Sequence, residues 1–266
     1  MKQLNQGCKG EEVGLLQAVL GLRCDGLFGA ATRKALQQWQ ELHGLEADGI
    51  CGPMTWDAMG YQQTKSARLY VQMIPFVEVD WISISLKDKD KTWPLYRHAR
   101  EKKADLAING GLFDMRTYQN VSTMIIGGII NNGGNYSNTG IAFEEGRAYG
   151  STLGSSRGKP VDFIGGAPLL IRDGKKKLDR RGLSEEFYHT ATQRMAIGCT
   201  DEALALITTG QTHACSLDVV VAEGLHQGLD HLINLDGGGS TSQYVNGQMV
   251  FSRYRNIPSS ILIKRK

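Results

Sequence analysis

An internal repeat occupies most of the first sixty residues. The segment DGLFGAATRKA at 25–35 returns as DGICGPMTWDA at 48–58, so that Asp, two Gly, Thr and Ala recur at one offset of 23 residues. An Asp-Gly pair favours a tight turn, and the later Thr stands where a hydroxyl can cap the start of a helix. The repeat therefore predicts two turn-and-helix units of the same design.

Apolar residues at helical spacing surround both copies of the repeat. They are Val13, Leu16, Val19 and Leu20 before the first copy, and Leu36, Trp39 and Leu42 between the copies. We expect a small three-helix bundle over residues 1–61. A chain of 266 residues is much longer than such a bundle needs and leaves about 200 residues for a second domain with its own core.

Composition excludes several classes of protein. Hydrophobic residues at 41% and charged residues at 21% are typical of a soluble globular protein, and a net charge of +3 is too small to predict a nucleic-acid partner. No long apolar segment follows Lys2, so we expect neither a secretory signal nor a membrane span. The five cysteines lack the paired spacings of zinc sites and are expected to be mostly idle thiols, with one bridge among the first three left open.

The hydrophobic pattern changes after a polar stretch at 62–67, which we interpret as a linker. Short alternating stretches typical of strands dominate 68–266, although 94–103 and 216–227 are predicted to be helical. Turn pairs separate the strands at Asn132-Gly133, Glu145-Gly146, Asp173-Gly174 and Asn246-Gly247. We expect an α+β (mixed α/β), sheet-rich second domain.

The most informative segment of the second domain is an apolar strand that ends in chemistry-bearing residues. After Leu232–Leu235 come Asp236, Gly237, Gly238, Gly239, Ser240 and Thr241. Glycine tolerates positive φ and has no Cβ, so the loop can turn several N–H groups toward one anion. The carboxylate and the two hydroxyls then predict a reaction centre, with a phosphate or an oxyanion as its ligand. A plain strand-to-loop turn is the alternative.

Four further segments combine apolar stretches with glycines or a cation. They are Ala107–Phe113 with Asn109, Gly110 and Gly111; Phe163–Leu170 with Gly166; Gln193–Gly198 with Arg194; and Arg255–Ile261. Together with the Asp236 loop, and in this order, they resemble the phosphodiester glycosidase family over residues 104–264. The most specific parts are Asn-Gly-Gly-x-Phe at 109–113 and Leu-Asp-Gly-Gly-Gly-Ser-Thr at 235–241.

The resemblance implies hydrolysis of a sugar 1-phosphodiester, with N-acetylglucosamine as the expected sugar. It places Asn109, Arg194, Asp236 and the glycine loop at one pocket, with Gly110, Gly111 and Gly166 as further substrate-binding positions. The chain has Gln193-Arg194-Met195 where the family usually has Pro-Arg-Thr, and Leu112 where it usually has Phe. The first change removes a hydroxyl beside the arginine, so the sugar or aglycone side of the pocket is expected to differ.

Each predicted catalytic residue has a chemical reason and an alternative. The planar guanidinium of Arg194 can pair two phosphate oxygens. Asp236 could activate water, attack the sugar, stabilise an oxocarbenium-like transition state or hold a divalent cation such as calcium or magnesium. Asn109 could bond a sugar hydroxyl or acetamido group, or stabilise its own turn.

Glycosidases usually employ two carboxylates. Asp114, which directly follows the Asn109 motif, is the first candidate for the second one, ahead of Asp162, Glu144 and Asp218. A solvated acid after a turn is the alternative for Asp114. The six histidines lack the His-Glu-x-x-His spacing of zinc peptidases.

The first sixty residues resemble the three-helix type of peptidoglycan-binding domain over residues 4–60. The match includes Gly10-Glu11-Glu12-Val13 and Leu16-Gln17 before the repeat. The resemblance implies binding of a wall glycopeptide, with Asp25 and Asp48 near the ligand. A domain that has kept the fold and lost the binding, or that docks on its own catalytic partner, is the alternative.

These inferences combine into a glycosidase that is held on peptidoglycan or a wall glycopolymer and cleaves a sugar phosphodiester there. We expect it to act at a bacterial cell wall or outside the cell, reaching it by phage-encoded release or after removal of a leader. Two rival hypotheses are a non-catalytic protein that binds peptidoglycan or an anionic glycan, and a phosphodiesterase that cuts the P–O bond.

Overall fold

The computed structural model describes residues 1–62, 64, 66, 69–87, 92–131, 138–153, 162–177, 183–251 and 255–266. Within these ranges the chain forms six helices and three sheets. The helices are α1 Glu11–Val19, α2 Ala30–Leu42, α3 Pro53–Ala58, α4 Leu95–Glu101, α5 Glu185–His189 and α6 Leu217–His226. No helix among the described residues is long and apolar enough to cross a membrane.

The strands follow one another along the chain with few helical interruptions. They are β1 Tyr61–Gln62, β2 Tyr70–Pro75, β3 Val79–Leu86, β4 Leu106–Asn109, β5 Met124–Ile126, β6 Ile129–Asn131, β7 Thr139–Glu144, β8 Arg147–Thr152, β9 Asp162–Gly165, β10 Leu169–Arg172, β11 Lys175–Lys176, β12 Met195–Cys199, β13 Ala203–Thr208, β14 His231–Asn234, β15 Gln243–Val245, β16 Gln248–Phe251 and β17 Ser259–Arg265.

Each of the three sheets has its own strand order. The first sheet runs β1-β2-β13-β12-β14-β10-β11, the second β16-β15-β4-β17-β3, and the third β6-β5-β9-β7-β8. The pairs that we describe are antiparallel, for example Ile197 of β12 opposite Ile233 of β14. The predicted sheet-rich, mixed α/β class is therefore confirmed.

The main core lies between the sheets. Met195 and Ile197 of β12 point into an apolar cluster to which strands of all three sheets contribute. Ala196, between them, points to the opposite face and packs in the cluster that contains Val220 and Val221 of α6. Because both faces of β12 are buried, polar groups can reach solvent only at the ends of such strands. The ends of β12, β14 and β4 are where the candidate site lies.

Three of the predicted turn pairs close two-residue hairpins. In the β7–β8 hairpin, Glu145 and Gly146 have φ of 49° and 73°. The pairs at 173–174 and 246–247 also have positive φ at both residues. Such values match the mirror-image turns whose twist suits paired strands. The predicted turn at 132–134 lies outside the described residues, and the predicted helices 94–103 and 216–227 correspond to α4 and α6.

The N-terminal part is helical, and its repeat folds as two equivalent turns that each close on a buried glutamine. Gln40 donates to the Asp48 carboxylate at 2.9 Å and to the Thr55 hydroxyl at 3.3 Å. Its side-chain oxygen accepts from the N–H of Gly49 at 2.9 Å. The same three bonds recur 23 residues earlier around Gln17. The offset of the repeat therefore reflects a duplicated hydrogen-bond cluster.

The repeat threonines do not cap helices as the sequence predicts. The residues at the cap positions of α2 and α3 are Gly29 and Gly52, which make no side-chain cap bond. Thr32 and Thr55 are buried instead, and their hydroxyls accept from the two glutamines. The residue that organises each turn is therefore the glutamine before the copy, Gln17 or Gln40, and not the threonine within it.

The helical part packs directly on the sheets. Tyr61 of β1 pairs with Gln72 of β2, so the chain enters the first sheet before the predicted linker begins. Residues 63, 65, 67 and 68 lie outside the described residues. Tyr70 and Phe251 stack at 5.2 Å between ring centroids, and both belong to the apolar cluster of the N-terminal helices. All five cysteines are free thiols in the structure.

Loss of the buried glutamine should destabilise the chain without changing its surface. Gln40→Ala leaves the Gly49 N–H without its acceptor and the Thr55 hydroxyl without its donor, so we expect the free energy of unfolding to fall by about 2–4 kcal/mol. Urea denaturation followed by circular dichroism measures it. Gln38→Ala, an exposed change on the same helix, is the control, and equal unfolding midpoints for the two variants would contradict the duplicated-cluster account.

Candidate active site

The glycine loop begins where the first sheet meets the second. The N–H of Leu235 still donates to the Met195 carbonyl of β12 at 2.8 Å. The next residue is bonded to the second sheet, since the N–H of Asp236 donates to the Gly110 carbonyl just beyond β4 at 3.1 Å. Asp236 therefore sits at the junction of two sheets, where the ends of several strands converge.

Each of the three loop glycines has a specific reason to lack a side chain. Gly238 has a φ of +56°, a value that favours glycine. A Cβ on Gly237 would lie 2.5 Å from the Gln193 carbonyl oxygen. A Cβ on Gly239 would lie 2.9 Å from the guanidinium carbon of Arg255. The triple glycine thus permits one tight turn, one close backbone approach and one close approach of a cation.

The side chain of Asn109, the last residue of β4, forms hydrogen bonds at both ends of the glycine loop. Its side-chain N–H donates to the Asp236 carbonyl at 2.7 Å, and its side-chain oxygen accepts from the N–H of Ser242 at 3.1 Å. The residue is buried. Both the side-chain N–H and the side-chain oxygen are thus bonded within the protein, so Asn109 shapes the site.

The Asp236 carboxylate is partly enclosed by the loop that it begins. Its Oδ1 accepts from the N–H of Gly237 at 3.0 Å. Burial raises the pKa of Asp236 to about 6, against the opposing effects of a hydrogen bond from Ser240, the Gly237 N–H and the charge of Arg255. A carboxyl with a pKa near 6 exchanges protons close to neutral pH, as a group that handles protons or develops charge in a reaction must.

Arg255 supplies a cation at this carboxylate, and the sequence did not single it out. Its Nη1 lies 3.4 Å from the Ser240 hydroxyl and 3.7 Å from the Met115 sulfur. The residue is exposed, and its charge lowers the pKa of Asp236. The sequence named only the segment 255–261. The signal that could have identified the residue is an arginine placed shortly before the buried strand β17.

Arg194, the cation that the sequence predicted for phosphate, is not an open cation in this structure. Its Nη2 donates to the carbonyls of Phe187 and Thr190, both at 2.8 Å, and its Nε donates to the Cys215 carbonyl at 3.2 Å. The side chain is buried, and burial lowers its pKa. These bonds hold α5 and the segment after it against β12, which is a structural task.

Asp114 reaches the rim of the site with its carboxylate already engaged. Oδ1 accepts from the N–H groups of Arg116 at 2.8 Å and Thr117 at 2.9 Å. These two backbone bonds lower the pKa of Asp114. The neighbouring Met115 contacts Arg255, so the turn lies beside the site. A carboxyl with a lowered pKa suits a turn cap better than a general acid.

The less favoured carboxylates are used elsewhere. Asp162 is buried and accepts two backbone N–H bonds between strands. Asp218 pairs with Lys176 at 3.0 Å, and Glu144 accepts from Tyr149 at 3.2 Å. None of the three contacts the glycine loop within the described part of the chain. Asp236 is therefore the predicted carboxylate that combines partial burial with a place on the loop.

The remaining loop and glycine positions are closely packed. Ser240 and Thr241 are buried, and the Thr241 hydroxyl has no hydrogen-bond partner among the described residues. A Cβ on Gly110 would lie 2.3 Å from the Ser259 hydroxyl oxygen. Gly111 and Gly166 similarly pack against buried apolar side chains. These two glycines support the site by letting strands approach closely.

Asp25 and Asp48 shape the turns of the helical part. Each Oδ1 accepts from the N–H two residues ahead, Leu27 or Ile50, at 2.8 Å. The hydrogen bond from Gln17 is the largest cause of the lowered pKa of Asp25. Both aspartates are exposed, so these turns are open to solvent. Contact with a wall ligand stays a prediction for both.

A divalent cation also stays a prediction. No group of three or more His, Cys, Asp or Glu side chains with a metal-binding arrangement occurs among the residues that the structure describes. His189 and His213 form contacts with acids outside the glycine loop, at Asp218 and Glu11 respectively.

Two families match separate parts of the chain. Residues 102–264 match the family described as Phosphodiester glycosidase, and residues 9–59 match the family described as Putative peptidoglycan binding domain. A glycosidase-family domain joined to a peptidoglycan-binding domain is the composition of a cell-wall-associated enzyme.

Two curated relatives match the chain over short lengths. An uncharacterized protein in the bpoA1 3′ region of Kitasatospora aureofaciens is 39% identical over 69 residues, which are 23% of this chain and 58% of that protein. The zinc D-Ala-D-Ala carboxypeptidase of Streptomyces albus G is 45% identical over 62 residues, which are 20% of this chain and 24% of the carboxypeptidase. The chain thus spans less than two thirds of the length of either relative.

A solved structure shares the fold of the larger part. It is the zebrafish N-acetylglucosamine-1-phosphodiester alpha-N-acetylglucosaminidase catalytic domain, auto-inhibited by pro-peptide. It superposes with a TM-score of 0.60 at 19% identity over 77% of this chain and 86% of the zebrafish chain. Because the match to the Phosphodiester glycosidase family covers more than half of the 266 residues, the chain belongs to that family.

Proposed function

We propose that the chain is a cell-wall glycosidase that hydrolyses a sugar 1-phosphodiester, with N-acetylglucosamine as the first sugar to test. The observation that carries the proposal is that Asp236, whose pKa is raised to about 6, and the exposed guanidinium of Arg255, 3.4 Å from the Ser240 hydroxyl, lie at the same glycine loop. A partly buried acid near an accessible cation suits a substrate that joins a sugar to an anion.

Asp236 acts on the sugar in its ionised form. A phosphate group leaves readily without protonation, so the reaction needs help at the anomeric carbon more than a strong acid at the leaving oxygen. The carboxylate either attacks that carbon or removes a proton from the attacking water. In both cases a water oxygen ends on the sugar, the bond between the anomeric carbon and the phosphate oxygen breaks, and a phosphate monoester leaves.

Arg255 holds the phosphate side. A guanidinium offers paired donors to two phosphate oxygens, and the lack of a Cβ at Gly239 lets this group approach the loop backbone. The buried Thr241 hydroxyl, which has no partner among the described residues, is a further donor that a substrate oxygen could engage. Arg194 keeps its structural bonds and acts by holding β12 and α5 behind the loop.

The helical part directs the enzyme to its substrate. Its match to a peptidoglycan-binding family supports a wall polymer as partner, and wall glycopolymers that contain phosphodiesters lie close to peptidoglycan. A bacterial or phage protein that acts at the wall or outside the cell fits this substrate class. Calcium or magnesium remains a proposed addition that the assays below test directly.

The position of bond cleavage tests the proposed reaction. Incubation with an alkyl ester of N-acetylglucosamine 1-phosphate in ¹⁸O-labelled water should place the label in the released sugar, since the C–O bond breaks. Mass spectrometry of both products measures it, with parallel samples in EDTA and in added calcium or magnesium. Label in the phosphate would instead establish P–O cleavage, and no product from any ester of a sugar panel would favour a binding protein.

Replacement of the partly buried Asp236 should remove activity and stabilise the fold. Burial raises the folded-state pKa of Asp236 above its usual value, so the ionised carboxylate opposes folding above pH 6. Asp236→Asn should abolish turnover and increase the free energy of unfolding by about 2 kcal/mol at pH 8. Urea denaturation at several pH values should show this gain disappearing below about pH 4, where the acid is protonated in both states.

The control for this variant is Asp114→Asn, which alters the neighbouring capped carboxylate. It should leave most activity in place, and it should not raise stability at pH 8, since the pKa of Asp114 is lowered in the fold. An Asp236→Asn variant with normal turnover would remove Asp236 from the mechanism.

Removal of the exposed cation should weaken phosphate binding and shift the pH profile. The value of kcat/KM should rise with pH through about 6 as Asp236 ionises. Arg255→Ala should lower kcat/KM by about a hundredfold. It should also move the rise to higher pH, because loss of the positive charge raises the pKa of Asp236. Arg255→Lys should keep the pH profile and recover part of the activity.

Arg116→Ala is the matched control, because this arginine is exposed on the turn beside the site. It should change neither the pH profile nor kcat/KM by more than about twofold. The proposal for Arg255 fails if its alanine variant behaves like the Arg116 variant in steady-state kinetics across pH 4.5–8.

A further inference from the structure

Glu11, the first residue of α1, forms hydrogen bonds to the loop between β13 and α6. Oε1 of Glu11 accepts from the N–H of Gln211 at 2.7 Å and from the N–H of Thr212 at 3.2 Å. Oε2 accepts from the Thr212 hydroxyl at 2.8 Å and lies 3.9 Å from the His213 ring. Only 16% of the Glu11 side chain is exposed. Bonds to a carboxylate are stronger than neutral ones, so this clamp is firm.

The clamped loop leads to the glycine loop through two more hydrogen bonds. The Gln211 carbonyl accepts from the Gln193 side chain at 3.2 Å. The Gln193 carbonyl in turn accepts from the N–H of Gly238 at 2.9 Å. The same carbonyl is the atom that a Cβ on Gly237 would meet at 2.5 Å. The N–H of Gly237 then donates to the Asp236 carboxylate.

Close packing makes this connection stiff. Gly210, which has a φ of +70°, precedes the clamped loop; a Cβ there would lie 3.0 Å from Oε2 of Glu11 and 2.9 Å from the Tyr70 ring. Tyr70 itself stacks on Phe251, and both rings are buried with the N-terminal helices. A packed interface of this kind transmits a displacement instead of absorbing it.

We propose that Glu11 is a positioning residue for the glycosidase reaction: the wall-binding part fixes the backbone on which Asp236 is presented. The inference rests on the proposed function for its kinetic consequence, but its structural content does not. The helical part would then have two functions, to bind the wall and to position the backbone that supports the glycine loop.

The first test measures the glycine loop itself, in the full-length chain. Glu11→Ala removes all three acceptor bonds, and hydrogen–deuterium exchange of the peptide that contains 236–241 should become about tenfold faster. Glu11→Gln retains an acceptor oxygen for the Gln211 N–H, so it should restore slow exchange in part. Exchange in α6, on the other side of the first sheet, should stay as in the parent.

The control is a bond at another place in the same interface. Asn246 donates to the Val19 carbonyl at 3.3 Å from the turn of the β15–β16 hairpin. Asn246→Gly removes this bond, and glycine accepts the positive φ of that position. We expect it to leave exchange at 236–241 unchanged. A matching rise in both variants would mean that any loosening of the interface has this effect, which would overturn a specific part for Glu11.

The second test separates binding from turnover. Glu11→Ala should lower kcat for a small soluble phosphodiester about tenfold with KM within about twofold, because a misplaced Asp236 affects the transition state more than binding. Retention on purified peptidoglycan should stay as in the parent. Unchanged exchange at 236–241 in Glu11→Ala overturns the inference, whether or not any phosphodiester is hydrolysed. Loss of activity toward every phosphodiester in the parent chain would overturn only the proposed function.

Discussion

The amide of Asn109 is the interaction on which the candidate site depends. One side chain at the end of β4 bonds the two ends of the glycine loop, at Asp236 and Ser242. Because the loop belongs to the end of β14 in the first sheet, these bonds join two sheets at the point where their strands stop. Without them the loop would be tied to the second sheet by main-chain bonds alone, such as that from Asp236 to Gly110. The buried amide therefore converts flexible glycines into a defined backbone.

Two arginines near this loop differ because of what their neighbours offer. Arg194 donates to two carbonyls at the end of α5 and to the Cys215 carbonyl, so its charge serves the fold. Arg255 meets a glycine, a hydroxyl and a thioether, and stays exposed. A guanidinium that already donates to several carbonyls has few donors for a substrate, whereas an exposed one keeps them. The same residue type thus gives a structural bond in one place and a candidate anion site in the other.

The sequence predicted features that depend on local chemistry. The repeated turns at 25–35 and 48–58, the positive-φ hairpin turns and the helices α4 and α6 depend on residues close together in the chain. The structural hydrogen bonds of Arg194 could not be predicted, because their acceptors are backbone carbonyls, which every residue carries. Arg255 was missed for the opposite reason, because its proximity to Asp236 depends on how β17 aligns with β4. A motif identifies a residue type, but long-range strand register decides which side chains meet.

Direct packing of the helical part on the sheets changes what wall attachment does for an enzyme of this kind. A flexible tether raises the effective concentration of every bond within its reach. Here β1 pairs with β2, and Tyr70 and Phe251 of the sheets pack in the apolar cluster of the N-terminal helices, so the helical part has a fixed direction relative to Asp236. When the helical part is bound to the wall, a fixed orientation lets the active site reach only phosphodiester bonds at one distance from the binding point. A small soluble ester gains nothing from this orientation. A repeating polymer presents its phosphodiesters at many distances from the same anchor, so one of them falls at the site. Under the proposed function, the docked arrangement therefore suits a polymeric wall substrate better than a free sugar phosphate.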